Sequence, residues 1–67
     1  MNYTTFFDHK NNSMEIWFGN GYKIIADFNL NMAYKLNNRE VKSQFSIEGM
    51  SLAEFHQILL SFERSVS

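Results

Sequence analysis

Cysteine and proline are both absent from this 67-residue chain, and it contains only three glycines. Without cysteine there can be no disulfide framework and no thiolate metal site, so the soft metal ligands are limited to His9 and His56. Two histidines do not form a metal-binding pattern, and we therefore predict no metal and no cofactor. The missing cysteines also leave no sign of an oxidising compartment, which favours a cytoplasmic location.

An excess of charge of either sign is missing as well. Six Lys and Arg residues stand against seven Asp and Glu residues, giving a formal net charge of −1. A chain so close to neutral has no overall field that would draw it to nucleic acid or to a membrane surface. It also does not open with a basic segment followed by an apolar one, so we expect no signal peptide.

The chain is instead rich in large apolar side chains, since 16% of its residues are aromatic. A chain of this length buries only about 60% of the surface that its unfolded form exposes, which leaves room for one core. Aromatic side chains each bury on the order of 150–250 Å² and make such a small core sufficient. We therefore predict a single domain over residues 1–67.

Apolar residues recur at every second position through the middle of the chain, which is typical of strands with one buried face. The alternating set is Met14, Ile16, Phe18, Tyr22, Ile24, Ala26, Phe28, Leu30, Met32, Tyr34 and Leu36. Val41, Phe45 and Ile47 continue it. The break at residues 19–21 predicts a three-residue hairpin loop with a bulge, which pairs Phe18 with Tyr22 and Ile16 with Ile24. Together with the first residues, the pattern predicts strands at about 2–8, 14–18, 22–28, 32–36 and 41–47.

A helix is predicted at about residues 52–64. Ser51 and Glu54 have the spacing of a capping box, and Met50 and Phe55 have that of a hydrophobic staple. The apolar stripe of this helix comprises Leu52, Phe55, Ile58, Leu59 and Phe62. We expect Ile24, Phe45, Phe55 and Leu59 to be buried together. The predicted fold class is α+β, a four- to five-stranded antiparallel β-meander packed by one C-terminal α-helix.

No combination of residues predicts a reaction centre. Asp8 and His9 lie at a strand end, where polar residues are common, and His56 is expected at the edge of the helix stripe. Glu15 and Asp27 share the outer side of the sheet, but an exposed carboxylate pair lacks the separation of pKa values that acid and base roles require. The sequence therefore predicts a non-catalytic protein without catalytic residues.

The side of the sheet away from the helix carries the predicted partner-binding residues, which are Trp17, Lys23, Ile25, Lys35 and Lys42, with Ala33 and Gln44 beside them. Tryptophan is a frequent anchor of protein interfaces. The same residue among lysines can also stack a base of a single strand. Because acidic groups share this side, the pattern favours a protein partner over nucleic acid, and a second copy of the chain is a further alternative.

These observations predict a small protein-binding module. Its short length, its eight asparagines and the lack of Cys and Pro are typical of a compact product of an AT-rich bacterial or phage genome. The specific hypothesis is a phage-type inhibitor of a host defence protein that acts by protein–protein contact. The alternative is single-stranded nucleic-acid binding through the outer face of the sheet.

Overall fold

In a computed structural model, which describes residues 3–66, five strands precede one helix. The strands are β1 (Thr4–Asp8), β2 (Ser13–Gly19), β3 (Tyr22–Asp27), β4 (Met32–Asn37) and β5 (Glu40–Ser46), and the helix is α1 (Leu52–Val66). Each strand pairs antiparallel with the next in chain order. The predicted α+β meander with one C-terminal helix is confirmed. Residue 2, where the first strand was predicted to begin, lies outside the described residues.

The β2–β3 hairpin contains the predicted bulge. Ile16 lies opposite Ile24 as predicted, but Tyr22 lies opposite Gly19 and not opposite Phe18. Phe18 is the extra residue of the bulge. Its insertion keeps even-numbered residues of β2 opposite even-numbered residues of β3, so the apolar sets of both strands share one face.

Two-residue turns close the β2–β3 and β4–β5 hairpins, in place of the three-residue loop predicted for the first. The central residues have left-handed φ angles in both turns, 54° at Asn20 and 80° at Gly21, and 50° at Asn38 and 74° at Arg39. This is the conformation that matches the twist of the strands in tight hairpins. The N–H of Asn38 donates to the carbonyl oxygen of Gly21 at 3.0 Å, so the two turns lie side by side.

The β3–β4 loop reverses the faces of the apolar pattern. Four residues, 28–31, connect the strands, and Asp27 lies opposite Met32. Asp27 Oδ1 stabilises the loop because it accepts hydrogen bonds from the N–H groups of Asn29 at 2.9 Å and Leu30 at 3.2 Å. Odd-numbered residues of β3 are thus opposite even-numbered residues of β4.

The inward placement predicted for the residues after this loop is therefore wrong. Leu30 lies in the loop and is 64% exposed. The side chains that turn to the face away from α1 are Met32, Tyr34 and Leu36, while Ala33 and Lys35 turn toward the helix. Val41 also lies on the far face, opposite Leu36, because the pairing of β4 with β5 shifts by one residue at Lys42.

The core lies between the sheet and α1. Ile16, Ile24 and Ala33 form its buried cluster with Leu59 of the helix. The partly buried side chains packed against this cluster are Tyr3, Met14, Phe18, Phe45, Ile47, Phe55 and Phe62. Ile24, Phe45, Phe55 and Leu59 pack together as predicted, but only Ile24 and Leu59 are buried, while Phe45 and Phe55 are partly exposed. Leu52 is not part of it, since this first residue of α1 is 90% exposed.

The predicted capping box forms at the start of α1. The N–H of Glu54 donates to Ser51 Oγ at 3.1 Å, and the N–H of Ser51 donates to Glu54 Oε1 at 3.2 Å. Each bond satisfies a backbone donor that has no partner within the helix. Met50 and Phe55, the predicted staple, line one cavity between the helix start and the sheet.

Replacing Ser51 by Ala should lower the free energy of unfolding by about 1 kcal/mol, because it removes the acceptor for the Glu54 amide. Ser61→Ala is the matched control, since Ser61 is exposed in the helix interior, where Ala has the higher helix propensity. Urea unfolding measures both. Equal stability of the Ser51→Ala variant and the parent would show that the cap does not stabilise the helix.

Candidate functional site

The outer face of the sheet, defined as the face away from α1, is built from three rows of residues that run across all five strands. The register gives a first row of Asp8, Ser13, Asp27, Met32 and Ser46, a middle row of Phe6, Glu15, Ile25, Tyr34 and Gln44, and a third row of Thr4, Trp17, Lys23, Leu36 and Val41. Residues directly opposite one another project to the same side of a sheet. An apolar or aromatic side chain therefore reaches this face from every strand.

Several of these apolar side chains are open to solvent. Phe6 is 57% exposed, Trp17 is 42% exposed and Val41 is 53% exposed, while Ile25 and Tyr34 are half-buried between them. Phe6 and Trp17 line a shallow depression at the β1 side of the face. Scattered apolar residues on a surface are ordinary, but a contiguous set on one face marks an interaction site.

Trp17 and Lys23 form a close pair on the outer face. The two residues lie opposite each other, and Lys23 Nζ is 4.6 Å from the centroid of the indole ring. The same ammonium group is 3.4 Å from Glu15 Oε1. A cation over the face of Trp is attracted by the ring quadrupole, and the carboxylate offsets its charge. Lys23 thus covers part of the Trp17 ring and is itself partly neutralised.

The structure brings together three of the five predicted site residues. Trp17, Lys23 and Ile25 lie on the outer face as predicted, whereas Lys35 lies on the opposite one. Lys35 is opposite Ile24, and its Nζ atom is 5.6 Å from the centroid of Phe45 and 5.2 Å from that of Phe62, a residue of α1. The outer placement predicted for Lys35 and Ala33 is therefore wrong, because the four-residue loop before β4 reverses the faces.

Lys42 is separated from the other predicted site residues. It is the extra residue where the register between β4 and β5 shifts, and its Nζ atom is 3.2 Å from Glu40 Oε1. Gln44, two residues further along β5, does lie in the middle row of the outer face as predicted. The predicted cluster of lysines around Trp17 is thus reduced to Lys23.

The charge of the outer face is negative. Asp8, Glu15 and Asp27 belong to its rows, against the single cation Lys23. A hydrogen bond from the Asn11 side chain to Asp8 Oδ2 at 2.7 Å is the main reason that the pKa of Asp8 is lowered. Arg39, in the β4–β5 turn, adds a cation beside a small cavity that Trp17 and Lys23 also line.

Sequence reasoning missed Phe6, Tyr34 and Val41 as residues of this face. The consecutive phenylalanines of β1 left its orientation open, and the other two were assigned to the core. A usable signal for the four-residue loop was an Asp followed four residues later by an Asn. This spacing occurs at Asp27 and Asn31 and again at Asp8 and Asn12. There the Oδ1 atom accepts from the N–H groups of residues 10 and 11, at 3.0 and 3.2 Å, and closes a second four-residue loop.

The position of Lys35 can be tested by reversing its charge. We expect Lys35→Glu to lower the free energy of unfolding by about 1–3 kcal/mol, because a carboxylate would replace the cation between two aromatic faces. Lys42→Glu on the next strand is the matched control and should cost less, since Lys42 is exposed and surface ion pairs contribute about 0–1 kcal/mol. Thermal melting compares the two variants. Equal destabilisation would mean that Lys35 also faces solvent.

The other polar groups considered in the sequence do not converge. The His9 ring packs edge-on against Phe7, with 4.7 Å between ring centroids, and His56 Nδ1 is 3.5 Å from the Tyr3 hydroxyl. Within residues 3–66, no three His, Asp or Glu side chains are close enough together to hold a metal ion. No helix in this part of the chain has the length and apolar character needed to cross a membrane. Comparison with known proteins found no match to a family model, to a curated protein or to a solved structure.

Proposed function

We propose that this protein is a non-catalytic protein-binding module that acts through the outer face of its sheet. The observation that carries the proposal is that both faces of the sheet carry large apolar side chains, although there is only one helix, α1, in the described chain to cover them. Helix α1 covers one of the faces, while Phe6, Trp17 and Val41 on the other stay about half exposed. Burying these side chains against a partner would be favourable by roughly 25 cal/mol for each Å² of apolar area.

The composition of the face supports a protein partner. Aromatic side chains are the usual anchors of protein interfaces, and here Phe6, Trp17 and Tyr34 come from three strands of one rigid sheet. A partner that matches this surface would present an apolar centre and basic groups toward Asp8 and Glu15. Complementary charge of this kind speeds association and selects against other partners.

Single-stranded nucleic acid is the alternative that Trp17 and Lys23 keep open. A base can stack on an exposed indole ring, and a nearby ammonium group can contact phosphate. Three features weigh against it. Lys23 lies over the ring and near Glu15, Lys35 faces the helix, and carboxylates outnumber cations in the rows of the face. A polyanion gains affinity by pairing its phosphates with cations, so this surface suits it poorly.

Two measurements test the proposal. The immobilised protein should retain a specific, stoichiometric protein from a nuclease-treated lysate of the cells in which it acts. A labelled single-stranded oligonucleotide should not bind at about 50 mM salt, where electrostatic attraction to phosphate is strong. Oligonucleotide binding that weakens at about 200 mM salt would overturn the proposal and favour the nucleic-acid alternative. The inhibitor role, the phage origin and the cytoplasmic location stay predictions.

A further inference from the structure

The two edges of the sheet differ in how they are protected. Among the described strands, β1 and β5 are the edges. An edge strand directs unpaired N–H and C=O groups outward, and natural proteins block such edges with lysine, proline or bulges. β5 has a register irregularity at Lys42 and an ion pair between Lys42 and Glu40. β1 has none of these devices, since it lacks Lys and Pro and its register with β2 runs from Thr4 to Asp8 without a shift.

Exposed apolar side chains are concentrated at the β1 edge. All five residues of β1 are exposed. Of the six large apolar side chains that the described chain exposes, Phe6, Phe7, Trp17 and Leu52 lie on β1 or next to it. Leu52 is 90% exposed and lines a groove between α1 and β1 together with Thr5. Apolar surface thus flanks the unprotected edge on both faces of the sheet.

The residues of β1 are compatible with pairing to a second copy of the same strand. In an antiparallel pair centred on Phe6, Thr4 of each copy lies opposite Asp8 of the other, and Thr5 lies opposite Phe7. The two Phe6 side chains are then direct neighbours on the outer face, where aromatic pairs stabilise a sheet. The one charge of the strand, Asp8, faces a neutral Thr4, so no like charges are opposed.

We infer that β1 pairs with β1 of a second copy about a two-fold axis at Phe6, which joins two sheets into one of ten strands. An axis perpendicular to the sheet keeps both helices on the same side. The two outer faces then form one continuous surface with the Phe6 and Trp17 side chains at its centre. A second copy fits this edge because the strand complements itself in hydrogen bonding, in charge and in its apolar neighbours.

Sedimentation equilibrium over about a hundredfold range of protein concentration tests the pairing, because a dimer dissociates on dilution. The wild-type protein should reach twice the 7.9 kDa mass of the chain. Phe6→Lys and Phe6→Glu each place like charges opposite one another at the axis and should each weaken self-association at least about tenfold. An equimolar mixture of the two variants should restore the dimer, since Lys then faces Glu. Leu30→Lys, at an exposed residue of the 28–31 loop and outside β1, should leave the dimer intact.

Recovery in the mixture separates a broken interface from a misfolded variant. A wild-type protein that stays monomeric at every concentration overturns the inference, as does a dimer that tolerates Phe6→Lys. These outcomes are independent of the proposed function. A monomer that still captures a partner protein would contradict the pairing alone, whereas a dimer that binds an oligonucleotide would contradict the protein-binding proposal alone.

Discussion

Leu59→Ala should lower the free energy of unfolding by about 2–5 kcal/mol. Leu59 is the buried residue of α1 and joins Ile16, Ile24 and Ala33 in the core cluster. Truncation removes apolar contacts between α1 and the sheet and leaves a cavity there. Small domains have total stabilities of about 5–15 kcal/mol, so the variant should be largely unfolded well below the melting temperature of the parent.

Leu52→Ala is the matched control for this prediction. It makes the same chemical change in the same helix, but at a side chain that is 90% exposed, and its effect should stay within about 0.5 kcal/mol. Urea denaturation followed by circular dichroism gives both values. A larger loss for Leu52→Ala than for Leu59→Ala would mean that the face of α1 packed on the sheet has been misassigned.

Trp17→Ala should weaken binding of the partner protein by 2 kcal/mol or more, which is roughly a thirtyfold increase in Kd. Trp17 lies in the third row of the outer face, with Phe6 across a shallow depression on one side and Lys23 over its ring on the other. It therefore combines a large exposed aromatic side chain with close neighbours on two sides, as interface anchors do. The fold should tolerate the change, because the core cluster lies on the other face of the sheet.

Binding should be measured by calorimetry with the captured partner, beside an unfolding curve of each variant. Leu30→Ala provides the control, since Leu30 is 64% exposed in the 28–31 loop and does not belong to the rows of the outer face. We expect it to bind as the parent does. Unchanged affinity of Trp17→Ala at unchanged stability would exclude the outer face around Trp17 as the binding surface.

Local patterns in the sequence determined the order of the elements and much of the core. Period-two alternation placed Ile16 opposite Ile24, and three-residue spacing placed Ser51 to cap the amide of Glu54. These features depend on neighbours in the chain, so the residues that make them can be read directly. Trp17, Lys23 and Ile25 were correctly placed on one face for the same reason, because β2 and β3 are joined by a short hairpin with the predicted bulge.

Tertiary structure alone decided which side chains of β4 and β5 point toward α1 and which point to the outer face. One residue more or less in a loop or bulge exchanges the two faces of a strand, because successive side chains of a strand alternate. The loop at 28–31 therefore turned Tyr34 outward and Lys35 under the helix, and the irregularity at Lys42 turned Val41 outward. Both faces of the sheet carry large apolar side chains, so the apolar pattern of the sequence did not show which register would bury them. Pairing across the whole sheet made that choice, and it removed a lysine from the outer face while adding aromatic and aliphatic side chains.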